Sequence, residues 1–267
     1  NQKIMTKPDQ KKAAFVFDKV QHCYSGVPAL EKIDLKINEG EKIAIVGPSG
    51  SGKTTLLNML NASIQPTNGR IEILGKDSNL YSPKELKALR SNISLITQNL
   101  ALVNSFRVWQ NVITGSIGDY SFPKLIKNLF APSEKKLLEI HSILERVGIE
   151  EKLYSVTSTL SGGQKQRVAV ARSIFQSPST ILADEPVSSV DPARAASLVK
   201  ILLKVAEEEE ATLLMSLHNL DLAIKHFPRI IGIRNGNIHF DQSPDQISQR
   251  QLEELYELKE SEILQDG

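Results

Sequence analysis

The chain has 267 residues, enough for one large domain or two small ones, and 40% of them are hydrophobic. This composition supports a sizeable buried core and excludes an intrinsically disordered protein. The formal net charge is only +1, from 32 basic and 31 acidic residues, so there is no general attraction to nucleic acid or to an anionic membrane.

Other features of the whole sequence further limit the class of protein that it can encode. Cys23 is the only cysteine, so no intrachain disulfide can form and a reducing compartment is compatible with the chain. No apolar run approaches the roughly 18 to 20 residues that span a bilayer, and no signal peptide is visible. There is no internal repeat.

The first elements of the chain are predicted to be antiparallel β-strands that precede the nucleotide-binding core. Residues 1–12 are polar, and we expect them to form a flexible extension outside the fold. A strand is predicted over 14–17. Ile33, Leu35 and Ile37 then alternate with polar residues, which indicates a strand with one solvated face.

A phosphate-binding loop follows a short buried strand at residues 42–46. Its glycines permit a sharp turn, and its amide groups at a helix start favour an anion. Lys53 can reach the β- and γ-phosphates, and the Thr54 hydroxyl can ligate Mg²⁺. Upstream, Tyr24 could stack on a nucleotide base, although a lone tyrosine is more often a packing residue. The loop, which fits G-x-x-x-x-G-K-[ST], consists of Gly47, Pro48, Ser49, Gly50, Ser51, Gly52, Lys53, Thr54 and Thr55.

The middle of the chain changes from mixed to helical character. A strand is predicted over 69–75, and Ser82 followed by proline is typical of a helix start. A further strand over 92–98 ends in Gln98. From 99 to 158 the pattern is helical, with one helix opening at Ser133. We interpret this stretch as a helical insertion in an α/β core.

The second half supplies a further anion site and two carboxylates. Ser161, Gly162, Gly163 and Gln164 precede a helix predicted over 165–176, and two glycines before a helix start favour anion binding. An apolar strand over 180–185 ends in Asp184 and Glu185, where open parallel sheets bind ligands. Asp184 is placed to hold Mg²⁺ opposite Thr54, and Glu185 is placed to polarise water.

The last elements complete the predicted sheet. A helix is expected over 195–210, and a buried strand over 212–217 is closed by His218, which is either a structural residue or a phosphate contact. Asn235 and Gly236 lie between two apolar runs, a strong hairpin signal. The tail, with an apolar stripe at Leu252, Leu255 and Leu258, predicts one or two short helices.

Together these motifs resemble the ATP-binding subunit of ABC transporters over residues 15–240. The sequence from Leu160 to Arg167 looks like the family's signature, and few other P-loop proteins carry it. The matched residues are Gln98 for the Q-loop, Asp184 and Glu185 for the Walker B aspartate and catalytic glutamate, Ser188, Ser189, Val190 and Asp191 for the D-loop, His218 for the switch histidine, and Tyr24 for the adenine-stacking aromatic.

The resemblance implies an α/β fold: a RecA-like P-loop NTPase core with an antiparallel β subdomain and an inserted α-helical subdomain. The implied organisation is a flexible extension at 1–12, the β subdomain and first part of the core at 13–98, the helical subdomain ending in the signature at 99–165, the second part of the core at 166–242, and a helical tail at 243–267.

The resemblance also implies a mechanism. ATP and Mg²⁺ are the expected cofactors, and two copies pair head to tail so that the signature of one contacts the nucleotide of the other. The implied catalytic residues are Glu185, His218, Gln98 and Lys53; the metal site is Thr54, Gln98 and Asp184; and nucleotide contacts come from Tyr24, the loop from Gly47 to Thr55, Gln98, Ser161, Gly162, Gly163, Gln164 and Asp191.

The implied partners are transmembrane permease subunits, faced by Gln98 and residues 99–108, and indirectly a substrate-binding protein; nucleic acid is not expected. The implied location is the cytoplasmic face of the cell membrane, as a peripheral subunit. The intact signature, glutamate and histidine argue against an inactive site.

A narrower resemblance concerns the cargo. Residues 99–103, 111–118 and 122–136 look like ATP-binding subunits of phosphonate importers, and phosphite import would have the same appearance. Other ABC importers or exporters, for phosphate, amino acids or lipoproteins, remain alternatives. A soluble ABC ATPase acting on DNA or ribosomes is disfavoured by the single cassette without heptads, and a P-loop kinase by the signature.

Overall fold

A computed structural model of the protein describes residues 12–118, 122–188 and 190–256. Four expectations fall partly outside these residues: the extension before Lys12, residues 119–121 of the helical insertion, Ser189 of the D-loop, and residues 257–267 of the tail, which include Leu258. Lys12 itself accepts a hydrogen bond from the Glu39 amide at 2.9 Å, so it is joined to the folded chain.

The strands of the described residues form two sheets. One is four-stranded and antiparallel, and the other is six-stranded and parallel except for an antiparallel strand at its edge. In chain order the strands are β1 (Ala13–Tyr24), β2 (Val27–Asn38), β3 (Lys42–Val46), β4 (Asn68–Ile73), β5 (Lys76–Asp77), β6 (Ile93–Ile96), β7 (Thr180–Ala183), β8 (Thr212–Leu217), β9 (Arg229–Arg234) and β10 (Asn237–Gln242).

The larger sheet has the order β10-β9-β3-β8-β7-β6. Its central strand β3 is buried on both faces: Ile43 and Ile45 join the hydrophobic cluster on one side, and Ala44 and Val46 join the cluster on the other. Burial on both faces is the pattern expected of parallel strands covered by helices. The predicted α/β class is therefore confirmed.

The smaller sheet, in the order β2-β1-β4-β5, packs against the first helix of the core. Ile33, Leu35 and Ile37 of β2 are buried while the intervening Asp34 and Lys36 are exposed, as the alternation predicted. This antiparallel sheet covers one face of the parallel sheet and brings Tyr24 close to the phosphate-binding loop.

Helices cover the parallel sheet and form most of the insertion. Among the described residues, no helix is long and apolar enough to cross a membrane. The α-helices are α1 (Lys53–Leu60), α2 (Pro83–Asn92), α3 (Val108–Ile113), α4 (Phe122–Phe130), α5 (Glu134–Arg146), α6 (Gly162–Phe175), α7 (Pro192–Glu208), α8 (Leu220–His226) and α9 (Gln249–Tyr256).

Helix caps explain where prediction succeeded and where it was wrong. Ser82 and Ser133 cap α2 and α5 as expected. The start predicted at 165 was wrong, because Ser161 caps α6 and its glycines lie inside the first turn. Likewise α7 begins before residue 195, because Asp191 is its N-cap. Helix α8 was not predicted at all.

The hairpin of β9 and β10 holds the phosphate-binding loop from the side. Asn235 and Gly236 both have positive φ, as a tight hairpin turn requires. The Gly236 amide donates to the Ser51 carbonyl at 3.0 Å, and the Gly236 carbonyl accepts from the Glu31 amide at 2.9 Å. A Cβ at Gly236 would lie 3.0 Å from the Ala29 carbonyl oxygen.

We predict that Gly236→Ala lowers the free energy of unfolding more than Gly75→Ala, by about 1–3 kcal/mol, because only the first adds crowding against β2 to the strain. Both glycines have positive φ, but a Cβ at Gly75 would meet nothing within 4 Å, so Gly75→Ala measures the backbone strain alone. Chemical denaturation of both variants provides the measurement. Equal losses would show that the close approach to β2 has no energetic role.

Candidate nucleotide-binding site

Residues of the predicted site follow four neighbouring strands at one edge of the parallel sheet. β3 leads into Gly47, β6 is followed by Gln98, β7 by Asp184, and β8 by His218. Because these strands are parallel, their carboxyl ends share an edge, which is where such sheets bind ligands. The chain order thus brings together residues up to 171 positions apart, from Gly47 to His218.

The phosphate-binding loop requires glycine at its ends. A Cβ at Gly47 would lie 2.0 Å from the Ile233 carbonyl oxygen, and a Cβ at Gly52 would lie 2.6 Å from the Ala29 carbonyl oxygen. Gly47, Gly50 and Gly52 all have positive φ. The loop can therefore exist in this shape only because the backbones of β9 and β2 approach it without side chains between them.

Lys53 lies buried at the floor of this loop. Its ammonium donates to the carbonyl oxygens of Gly47 and Pro48, both at 2.9 Å, and lies 3.7 Å from Glu185 Oε1. Burial lowers the pKa of Lys53, while the charges of Glu185 and Asp184 oppose that shift. The result is a fixed positive group next to a loop whose amides already favour anions.

Ser216 joins the two carboxylates that follow β7. Its hydroxyl donates to Asp184 Oδ1 at 2.8 Å and accepts from the Glu185 amide at 2.8 Å. Ser216 is fully buried on β8, and sequence analysis missed it. The available signal was a hydroxyl in an otherwise apolar strand, since buried polar groups need partners.

Glu185 is held in an unusual conformation. Its φ of +48° is in the left-handed region, which is unfavourable for a residue with a side chain. Its carboxylate lies 2.6 Å from His218 Nε2, and the Ser216 hydroxyl holds its amide. A carboxylate fixed in this way can accept a proton from a water molecule beside a phosphate.

Lys53, Glu185 and His218 line one cavity of about 540 Å³. Tyr24 is 47% exposed at its rim, and its ring meets His22 edge to face with centroids 4.6 Å apart. The size suits a nucleotide. The predicted residues that line the cavity are Tyr24, Ser49, Gly50, Ser51, Gly52, Lys53, Thr54, Thr55, Gln98, Glu185 and His218.

The residues predicted to hold Mg²⁺ surround a smaller adjoining cavity of about 260 Å³. Thr54, Gln98 and Asp184 all line it, and each carries a side-chain oxygen. Mg²⁺ prefers oxygen ligands, and in phosphate sites it is held by one or two carboxylates together with phosphates and waters. The donor set therefore fits this ion.

The signature residues lie outside the two cavities described above. Ser161, Gly163 and Gln164 line a separate cavity of about 230 Å³ with Arg167 and Arg194. A Cβ at Gly162 would meet nothing within 4 Å, so the start of α6 is open to the surface. None of the described signature residues lines the Lys53 cavity of the same chain.

Two predicted nucleotide contacts have local partners in this structure. The Gln164 side chain accepts from the Ser161 amide at 3.0 Å, which completes a capping box. Asp191 accepts from the Arg194 amide at 3.0 Å, and its other oxygen lies 3.2 Å from Arg194 Nε. Both residues fix helix starts, and a nucleotide contact by either stays a prediction.

Comparisons with known proteins agree with this geometry. A family model described as ABC transporter matches residues 30–188. The chain is 43% identical over 235 residues to the phosphonates import ATP-binding protein PhnC of Pseudomonas fluorescens, covering 88% of each chain. It is 41% identical over 232 residues to PhnC 3 of Halalkalibacterium halodurans, covering 87% of this chain and 89% of that one.

Solved structures show the same fold. cbiO1 of Clostridium perfringens, part of the ABC transporter complex cbiONQ, superposes with a TM-score of 0.76 at 26% identity, covering 96% of this chain and 94% of that one. The cassette MJ0796, solved as a dimer in a post-hydrolysis state with ADP and Pi, gives a TM-score of 0.72 at 29% identity, covering 86% and 98%.

We predict that Ser216→Ala lowers the rate of ATP hydrolysis about 10- to 100-fold with a smaller change in ATP affinity, because it removes a group that orients both carboxylates. Turnover and equilibrium binding of ATP provide the two measurements. Ser173→Ala is the matched control, since Ser173 is also a buried serine but lies on α6 outside the cavity. Equal losses of turnover in the two variants would show that Ser216 has no specific role in the site.

Proposed function

Because this chain belongs to the ABC transporter family, we propose that it is the ATP-hydrolysing subunit of an importer for phosphonate or phosphite. The family match, which spans more than half of the chain, confirms the resemblance indicated by the motifs. The observation that carries the proposal is the arrangement of Lys53, Glu185 and His218 around one cavity at the sheet edge.

The proposed chemistry is attack of water on the γ-phosphate of ATP, which breaks the bond from the γ-phosphorus to the bridging oxygen and releases ADP and phosphate. The loop amides and Lys53 bind the triphosphate and stabilise the charge that develops on it. Glu185, oriented by His218 and by the Ser216 hydroxyl, accepts the proton of the attacking water. Thr54, Gln98 and Asp184 would hold Mg²⁺, which when bound neutralises charge on the phosphate oxygens.

We further propose that two copies share their sites. Ser161 and Gly163 lie at the open start of α6, in a cavity apart from Lys53. The amides and positive end of a helix favour an anion, so the γ-phosphate bound by a second copy is a fitting partner. ATP would then join the two chains, and hydrolysis would release them. The dimeric MJ0796 structure supports this arrangement.

The proposed partners in the membrane are permease subunits. They would contact Gln98 and the helical insertion, placing this chain on the cytoplasmic face of the membrane. A substrate-binding protein would deliver the cargo, and its pocket must offer hydrogen-bond donors to the oxygens of a small phosphorus anion. The names of the relatives, phosphonates import ATP-binding proteins, support this cargo.

We predict that Glu185→Gln binds ATP but hydrolyses it at least about 100-fold more slowly, since the amide cannot accept a proton. Because ATP persists in this variant, we also expect ATP to convert it from monomer to dimer. Phosphate release and light scattering with and without ATP are the measurements.

Glu207→Gln is the matched control, an exposed glutamate on α7 far from the sheet edge. It should keep wild-type turnover. Near-normal hydrolysis by Glu185→Gln would remove Glu185 from the role of base. A strict monomer at saturating ATP, even with the permease present, would rule out shared sites.

We predict that a strain lacking this gene fails to grow on phosphonate or phosphite as the only phosphorus source. The wild-type gene should restore growth, and the Lys53→Ala gene should not, because the variant loses a cation that contacts the phosphates. Growth curves on each source provide the measurement. Unimpaired growth on both sources, with uptake of another nutrient lost, would refute the proposed cargo. It would not contradict the proposed ATPase activity.

A further inference from the structure

The segment after Gln98 contains two consecutive residues in a disfavoured conformation. Leu100 has a φ of 59° and Ala101 a φ of 45°, both in the left-handed region. Side chains make this region unfavourable, and two such residues in a row persist only if other contacts hold them. Something outside the segment must therefore keep it in this shape.

Leu100 packs against the hydrophobic core, and Asn111 holds the backbone of Val103, but the contact at the two strained residues' carbonyls comes from α6, the helix that begins at the signature. Arg172 of α6 donates through Nη2 to the Leu100 carbonyl and through Nη1 to the Ala101 carbonyl, both at 2.7 Å. Among the described residues, no carboxylate forms an ion pair with Arg172, and burial lowers its pKa. The planar guanidinium spans two carbonyls at once, which a lysine ammonium does not reproduce.

The backbone of Arg172 is itself closely packed. A Cβ at Gly115 would lie 2.3 Å from the Arg172 carbonyl oxygen, so the backbone after α3 packs directly against α6 at this residue. Gly162 lies about 15 Å away along the same helix, at 1.5 Å per residue. A continuous helix thus connects the contacts of Arg172 to the signature.

We propose that Arg172 is the positioning residue that ties the segment after Gln98 to the signature helix. By holding both carbonyls it fixes Gln98 beside the cavity, and it makes a displacement of that segment move Ser161 with it. The inference rests on the proposed function, because it assumes that Gln98 and Ser161 each contact a nucleotide. In a pair of chains those would be different nucleotides, so Arg172 would connect the two sites.

Arg172→Lys tests the proposal, since it keeps the positive charge and removes the planar guanidinium that donates to both carbonyls. We expect turnover to fall about 10- to 100-fold, as for groups that orient other ligands, with the KM for ATP changed less than about threefold. Hydrogen exchange should rise in residues 98–107 without nucleotide. Four amides there donate hydrogen bonds in this structure, those of Leu100, Val103, Phe106 and Arg107.

Two further variants separate positioning from general stability. Arg90→Lys is the matched control: Arg90 donates to the carbonyl of Ala62, another left-handed alanine, outside the site. It should leave turnover and exchange in 98–107 unchanged. Adding Ala101→Gly to Arg172→Lys should restore part of the turnover, because glycine takes a positive φ without strain.

Unchanged exchange in 98–107 for Arg172→Lys would overturn the proposal. So would an equal loss of turnover in Arg90→Lys, or no recovery on adding Ala101→Gly. A wild-type chain that does not hydrolyse ATP would instead refute the proposed function, and the exchange measurement would still decide whether Arg172 holds the segment.

Discussion

The buried ammonium of Lys53 is the interaction around which the site is built. A charge removed from water is costly unless hydrogen-bond acceptors and opposite charges surround it. Here two loop carbonyls and Glu185 supply them. Gly47 adopts its turn where a Cβ would lie 2.0 Å from the Ile233 carbonyl oxygen, and Glu185 approaches Lys53 with a φ of +48°. Two neighbours in unusual backbone conformations thus meet at one buried cation.

The site accordingly depends on long-range hydrogen bonds to the backbone of its loops. Ser216 holds the Glu185 amide, Gly236 holds the Ser51 carbonyl, and Arg172 holds the two carbonyls after Gln98. In each case the acting group lies on a different element from the group it fixes. These hydrogen bonds fix the backbone of loops at the sheet edge, as is expected of a site that holds its ligand in one geometry.

The sequence was sufficient to predict the fold class, the polar residues that follow β6, β7 and β8, and most of the residues that line the cavity, although not Val27, Pro28 and Ala29. Those signals are local: a glycine pattern, alternating burial, or a carboxylate after an apolar run. It was insufficient for Ser216 and Arg172, whose roles arise from contacts across the sheet and between helices. The start of α6 was missed because glycine disfavours a helix interior, whereas here the Ser161 cap compensates at its first turn.

The position of β3 in the sheet has a consequence for the newly made chain. β3 pairs with β8 on one side and β9 on the other, and both are formed by residues far downstream. Ile43 cannot pair with Arg229 until the ribosome has added Arg229, roughly 10 to 40 seconds later at ordinary elongation rates. The phosphate-binding loop is translated early, but its contacts with Ile233 and Gly236 cannot form until the last part of the chain has been added.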